Sequence, residues 1–389
     1  MRFRSLLTCT AALFAGGAMA EAADLPTPAP EQYVRICDAF GAGFYYLPGT
    51  DTCLLIGGRV RAEAHYVDGD IEEFFGLPGD DEFNNFTTRA RGNIWLDART
   101  ASEIGLVRTY VEYEMTVGPD DFAVNYDGTD DSLSAAFIEV SNDAGIFTAG
   151  HNSSFFDFFS SDTYGTRIDI DDNTTEQTLF AYTYAATSGL RGTLSVEDPA
   201  SSGRRLSGAD AYEGQEMPDL VANVRIDKDW GSAQIMGAAR HIHDSDGDGF
   251  GWAVGAGLST TLPFMGLGFS AQAAYADGAI AYVTNDPGGL GDFGGPDGDD
   301  TNTAWTVRAG LTAPFSPTVS AWLDGSFTHV EDDNNDDEYD FWAVVGGAAW
   351  EPISGLAMGP EVGFNRIEGD DADEDGDVWG AMWRVESTF

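Results

Sequence analysis

The chain has a single lysine, Lys228, and only 19 basic residues against 65 acidic ones, a formal net charge of -46 over 389 residues. This shortage of base excludes a nucleic-acid partner, which needs a basic face. It favours solubility of the exposed parts and local enrichment of cations. Cysteine is nearly absent, at positions 9, 37 and 53 only. With no Cys or His cluster at ligand spacing, structural zinc is not expected. No apolar run after the N-terminus is long enough for a transmembrane helix, which needs about 20 residues. No glycine-rich loop leads from a strand into a helix, so nucleotide binding has no support. An exported soluble protein and a membrane β-barrel remain.

Residues 1–22 read as a secretory signal. Arg2 and Arg4 precede an apolar run from Leu6 to Phe14, and Ala18-Met19-Ala20 fits a small-residue cleavage site. Cleavage is expected between Ala20 and Ala22, and it removes Cys9. Residues 23–52 form a lead-in, proline-rich over 21–36, and 53–389 the main domain. Cys37 and Cys53 then remain as an even pair in an oxidising compartment, and we read them as a disulfide. The alternative is two buried free thiols.

From Cys53 onward, short β-prone segments alternate with turns, and no stretch sustains a helical period. The alternation has period 2. Leu54, Ile56, Val60, Ala62, Ala64 and Tyr66 share one face; Arg59, Arg61, Glu63 and His65 share the other. Ile94 and Leu96 oppose Arg89 and Arg91; Val107, Val111 and Tyr113 oppose Arg108, Glu112 and Glu114. Strands are expected at about 53–67, 84–100, 105–117, 134–141, 145–151, 177–185, 189–197, 219–228, 231–242, 251–260, 266–276, 303–312, 318–330, 338–350, 356–367 and 377–389. Links of two to five residues alternate strictly with long ones at 68–83, 118–133, 152–176, 198–218, 243–250, 277–302, 331–337 and 368–376. Short turns on one side and long loops on the other mark a transmembrane antiparallel β-barrel, here of about 16 strands. A soluble sandwich alternates too, but has no reason to segregate its loops. The acid gathers in the long set, as in EDDNNDDE at 331–338 and EGDDADEDGD at 368–377.

One long loop differs from the rest. HNSSFFDFFSSDTYGTRIDIDDNTTE, at 151–176, carries Phe155, Phe156, Phe158, Phe159 and Tyr164. Disordered segments are poor in aromatics, and four phenylalanines in water would be an apolar patch that surfaces avoid. The loop is therefore expected to pack its aromatics on a wall while Asp157, Asp162, Asp169, Asp171 and Asp172 face water. Folding into a wide barrel meets both demands; a surface loop capping a β-domain is the plainer alternative.

YVRICDAFGAGFYYLPGTDTCLLIGG at 33–58 and GHNSSFFDF at 150–158 resemble the signatures of the alphaproteobacterial porins. ADLP at 23–26 and the terminal Phe389 are similar to that family as well. The resemblance implies a trimeric 16-stranded barrel of the Gram-negative outer membrane, with the loop after the fifth strand folded inward as a constriction. The sequence departs from the family at His151, where an arginine is common, and in its more acidic loops; both leave the ion preference open.

On this reading Arg59, Arg61, Arg89, Arg91 and Arg108 form a basic wall opposite the loop aspartates, with His151 beside them. Opposed charges would set a transverse field across the pore. The plainer reading is that the arginines pair with wall carboxylates such as Glu63, Asp97 and Glu112. DSDGDG at 244–249 begins like an EF-hand but has Gly255 where the bidentate Glu belongs; Asp371, Asp373 and Asp375 repeat the start and Met382 fails alike. No cofactor is expected beyond loose Ca²⁺ or Mg²⁺ at these acidic loops. His151 and Ser153 lack a third catalytic partner, so no enzyme is expected. The expectation is a general diffusion channel for ions and small hydrophilic solutes, working as a homotrimer in outer-membrane lipid. The alternatives are a substrate-selective channel and an adhesive barrel with cation-binding loops.

Overall fold

In hydrocarbon every backbone N–H and C=O needs a protein partner. The chain meets this with sixteen long antiparallel strands. They are β1 (Cys53–Gly69), β2 (Phe86–Ser102), β3 (Gly105–Val117), β4 (Thr129–Asn142), β5 (Gly145–Ser153), β6 (Glu176–Ala185), β7 (Leu190–Glu197) and β8 (Asp219–Lys228). The second half comprises β9 (Gly231–His243), β10 (Asp248–Thr261), β11 (Gly268–Asp277), β12 (Thr303–Ser316), β13 (Val319–Asp332), β14 (Asp337–Ile353), β15 (Leu356–Gly369) and β16 (Gly376–Thr388). This computed structural model describes residues 35–389 except 71–83, 119–128, 160–162, 166–167, 173, 187, 202, 207–211, 213, 244–247, 264–265, 286–288, 295–299, 333–336 and 371–374.

Each strand pairs with the next, and β16 closes the ring on β1, from Thr388 opposite Arg59 to Val378 opposite Gly69. Phe389 extends the closure by exchanging backbone hydrogen bonds with Gly58 at 2.9 and 3.0 Å. A Cβ on Gly58 would lie 2.3 Å from the Phe389 ring, so the terminal aromatic needs glycine beneath it. Short links, such as 103–104, 143–144 and 229–230, gather at one end. At such a turn Gly231 has φ 136°, and a Cβ there would meet the Ser259 carbonyl at 2.0 Å. Period 2 makes the two faces. Ile56, Val60, Ile94, Leu220, Val224, Leu323 and Val362 are exposed outward. Aromatics ring both rims, with Trp252, Trp305, Trp342 and Trp379 toward the long loops and Trp230, Phe315 and Trp350 toward the short turns. That outer band with two girdles is the surface a bilayer requires. The inner rows are polar and largely buried: Glu63, His65, Asn93, Gln177, Glu197, Gln234, Gln272 and Glu361.

The expected strands are all present, with ends shifted by up to five residues, lengthened at β4 and β12 and starting two residues later at β2 and β11. Residues 1–22, the expected signal, lie outside the described residues.

Cys37 and Cys53 are joined. The bridge pins the lead-in to the short-turn end, where Tyr45–Tyr46 adds two residues of ladder to β1. Phe44 is buried against the two sulfurs, with Phe40, Tyr46 and Leu55 around it, and the Arg99 guanidinium lies 4.8 Å over the Phe44 ring. Closing a loop of this size stabilises by about 3 kcal/mol in the chain-entropy model. The barrel ladder does not include Cys37. Cys37→Ser should therefore leave a heat-modifiable barrel while exposing residues 36–46 to proteolysis. The unreduced wild type should take up no alkylating reagent; two alkylated thiols in native protein would contradict the bridge.

Candidate functional site

A barrel of sixteen strands is too wide for its own side chains to fill. Among the described residues, parts of three loops fill much of it, those after β5, β7 and β11. The β5–β6 loop, residues 154–175, enters the lumen with Phe156, Phe159, Ile168 and Ile170 buried. A buried loop leaves backbone groups to satisfy, and the inner wall supplies the partners. Glu197 on β7 accepts from Ser154 Oγ at 2.7 Å and Phe155 N at 3.1 Å. Asn223 on β8 donates to the Phe155 carbonyl at 2.7 Å, and Gln272 on β11 accepts from Phe159 N at 2.9 Å. Glu361 on β15 accepts from Tyr164 N at 2.7 Å, and Asn365 donates to the Asp169 carbonyl at 2.9 Å. Glycines shape the seat. A Cβ on Gly257 would overlap Phe158 at 2.1 Å. Gly363 and Gly380 face each other across β15 and β16, and a Cβ on either would strike Ile168, at 2.2 Å on its carbonyl or 2.7 Å on its side chain.

Beside the loop lies an open cavity of about 490 Å³. Arg61 and Arg91 line its wall side; Asp157, Thr163, Tyr164, Asp169, Asp172 and Thr174 line its loop side. Arg61 and Arg91 are register partners on β1 and β2, so their guanidinium groups share one height. They are steadied by Glu386 at 2.6 Å and Glu114 at 3.0 Å. Asp169 accepts from Ile170 N at 2.8 Å and Thr163 Oγ1 at 3.1 Å, and burial pushes its carboxyl up to about 7. Asp172 accepts from the Thr174 N–H and hydroxyl, both at 3.0 Å. A second space, about 440 Å³, meets the first at Ser153 and Asp157 and is lined by Thr148, Asn152, Asn223, Gln234, Arg191 and Arg225.

The sequence-predicted residues do not all meet here. Arg59 lies 3.9 Å from Glu386, and Arg89 pairs with Glu63 at 2.7 Å. Arg108 sits with Arg99 on Asp97 near the short turns. It is eight residues along β3 from Thr116, the register partner of Arg91, which is roughly 26 Å of strand. The expectation that Arg108 faces the loop is therefore corrected: parity put it on the inner face, but strand position puts it far from the constriction. His151 is corrected for the opposite reason. It pairs with Ala136 and Thr178, in the outward row of Ile138, Phe147 and Phe180. The strand continues through it, so it points away from the cavity.

The aspartates also divide. Asp157 is not free in water: Arg204 of the β7–β8 loop grips it at 2.8 Å, and Thr175 N donates to it at 3.1 Å. Burial pushes its carboxyl upward against the pull of Arg204. Asp171 is an anchor, accepting from Thr328 Oγ1 at 2.6 Å and Asn285 N at 3.0 Å. Asp162, most of DSDGDG and residues 371–374 lie outside the described residues.

Sequence reasoning missed another of these loops, residues 278–302 between β11 and β12. Ala279, Ile280, Tyr282 and Val283 are fully buried in the lumen. The signal was present: AIAYV is an apolar run inside a long acidic loop, the same contradiction that marked the phenylalanine loop. Arg204, Glu197 and Glu361 were also missed.

The glycine seat is testable. Gly363→Ala forces Ile168 off the wall at a cost of about 1–3 kcal/mol of overpacking. The loop should move toward the lumen, and single-channel conductance should fall. Gly92→Ala, whose Cβ would meet nothing within 4 Å, should leave conductance unchanged.

A sequence profile described as the Porin subfamily matches residues 24–384. Over full length the chain is 26% identical to Porin Omp2b of Brucella suis and 24% identical to Porin Omp2b of Brucella abortus, with both chains fully covered in each comparison. In fold it is similar to the outer membrane channel DcaP of Acinetobacter baumannii, at a TM-score of 0.71 and 15% identity over 88% of this chain and 99% of that one. It is also similar to the anion-selective porin from Comamonas acidovorans, at a TM-score of 0.55 and 11% identity over 87% and 100%. A closed barrel with two aromatic girdles, a polar lumen and an inward loop agrees with the profile, and the chain belongs to the porin family of the Gram-negative outer membrane.

Proposed function

We propose that the pore is a general diffusion channel with a modest preference for cations, working as a homotrimer and not as an enzyme. The observation that carries this is the cavity of about 490 Å³ with Arg61 and Arg91 on one side and Asp169 and Asp172 on the other. Opposed fixed charges orient polar solutes and penalise apolar ones. The arginines keep wall carboxylates within reach, so their outward field is reduced. Among the described residues no basic side chain forms an ion pair with Asp169 or Asp172, and both line the confined cavity. The acidic long loops add cation attraction at the mouth, within about 8 Å at physiological salt.

Three outcomes follow in planar bilayers. Asp169→Asn with Asp172→Asn should move the reversal potential toward anions more than neutralising two acids in 331–338. An anion-selective wild type would overturn the reading. The pH dependence has a definite sign. Asp169 is charged above about 7 and neutral below it, so cation preference should weaken from pH 8 to pH 6, and Asp169→Asn should remove that step. Saturation by one solute would favour a substrate-selective channel, and absence of conductance an adhesive barrel.

The trimer is supported by the apolar outer face, which gives protomers a surface to share, and by a solved relative in fold, OmpT of Vibrio cholerae, described in a trimer form. Unheated detergent extracts should run near about three times the monomer mass; a strictly monomeric species in mild detergent would count against it.

A further inference from the structure

The segment Ala279–Asn285, buried from Ala279 to Thr284, touches the constriction loop at several points. Tyr282 packs on Phe156 with ring centroids 4.9 Å apart. Asn285 donates from its backbone to the Asp171 carboxylate at 3.0 Å and from its side chain to the Asp172 carbonyl. The segment is tied to the wall as well. Arg308 on β12 donates to the Val283 carbonyl, and Tyr282 Oη donates to Asp219 on β8 at 2.7 Å.

Tyr282 is the centre of this arrangement. The Arg204 and Arg240 guanidinium groups both lie over its ring, at 4.4 and 5.1 Å. Each arginine ties the 278–302 loop to a different element. Arg204 donates to the Ala281 carbonyl at 2.9 Å and to Asp157 of the constriction loop at 2.8 Å. Arg240, on β9, bridges Asp219 and Asp292, each at 2.8 Å. Asp292 accepts in addition from Tyr212 Oη at 2.7 Å and Leu206 N at 3.1 Å. Loops from three separate parts of the chain thus meet on one buried phenol and two buried arginines. Removing one member leaves buried charge without its counterion, which is costly, so the set holds together or is lost together.

We propose that Ala279–Asn285 is a second, fixed constriction of the pore, with Tyr282 as its positioning residue. The segment occupies the lumen on the side of β8, β9 and β12. Conduction is thereby confined to the Arg61–Arg91 side, and the constriction loop is backed by protein. This rests on the porin reading above.

Two measurements test it. Cys37 and Cys53 are bonded to each other, so an introduced cysteine is the only free thiol beyond Cys9. In otherwise wild-type protein, Ala281→Cys should react with a membrane-impermeant maleimide roughly a hundredfold more slowly than Thr174→Cys on the cavity, since reaction requires local opening. Equal rates would overturn the proposal whether or not the protein conducts. In single-channel recordings, Tyr282→Ala should raise conductance roughly 1.5-fold or more and add open-channel noise, because the wedge loses its seat. Tyr282→Phe keeps the ring under both arginines and should restore quiet, near-wild-type currents. Unchanged conductance and noise in a folded, heat-modifiable Tyr282→Ala barrel would overturn the proposal. A Tyr282→Ala chain that fails to fold leaves the thiol comparison to decide. If neither wild type nor variants conduct while Ala281→Cys stays protected, the porin reading fails and the wedge stands.

Discussion

The backbone ladder is the constraint on which the rest depends. In a bilayer each unpaired N–H or C=O costs several kcal/mol, so no strand edge can be left open. The ring closes only because β16 finds β1 over eleven residues and Phe389 continues onto Gly58. Closure then forces every second side chain inward. The inner rows are polar because they face confined solvent and loops, and the outer rows are apolar because they face lipid. The two faces are one consequence of one ladder.

A closed sixteen-strand ring poses a second problem, because its interior exceeds the reach of its side chains. The chain solves it with loop backbone, which is itself polar and must be paired. Glu197, Asn223, Gln272, Glu361 and Asn365 are therefore more than wall polarity: each meets a loop N–H, C=O or hydroxyl. The wall glycines are the steric half of the same solution. Gly257, Gly363 and Gly380 leave hollows into which Phe158 and Ile168 fit. Constriction depth is set jointly by where the wall has no side chain and where it has a hydrogen-bonding one.

The strands were legible because alternation, loop-length asymmetry and closure all depend on local order. β3 and β8 fall at 105–117 and 219–228, as their patterns indicate. The inward fold of the phenylalanine loop was legible from composition alone, since apolar residues in an acidic loop need a wall. AIAYV obeyed the same rule and was passed over because its loop is dominated by glycine and aspartate. The partners of the loop aspartates were not legible. Asp157 meets Arg204 and Asp171 meets Asn285 and Thr328 only after three loops have folded into one lumen. Parity gives a side but not a height, which is why Arg108 shares a face with Arg91 and yet lies far from it. The expected strand ends at His151, whereas the ladder runs on to Ser153.

The scarcity of lysine follows from this interior. A cation in the lumen has to serve several partners in a fixed plane, and a guanidinium does so where an ammonium, a point charge, does not. Arg240 joins two carboxylates and a phenol ring; Arg384 reaches Glu63 while lying 4.3 Å over Tyr164; Arg108 meets Asp97 and the rings of Tyr110 and Phe137. Lys228, by contrast, stands at a short turn outside the lumen, where it donates to the Ser188 carbonyl. Among the described residues the bases are thus largely committed inside, most of them against acid. The excess of acid falls in the sequence of the long loops. Opposed charge around the cavity and an excess of acid in the long-loop sequences are two results of the same allocation.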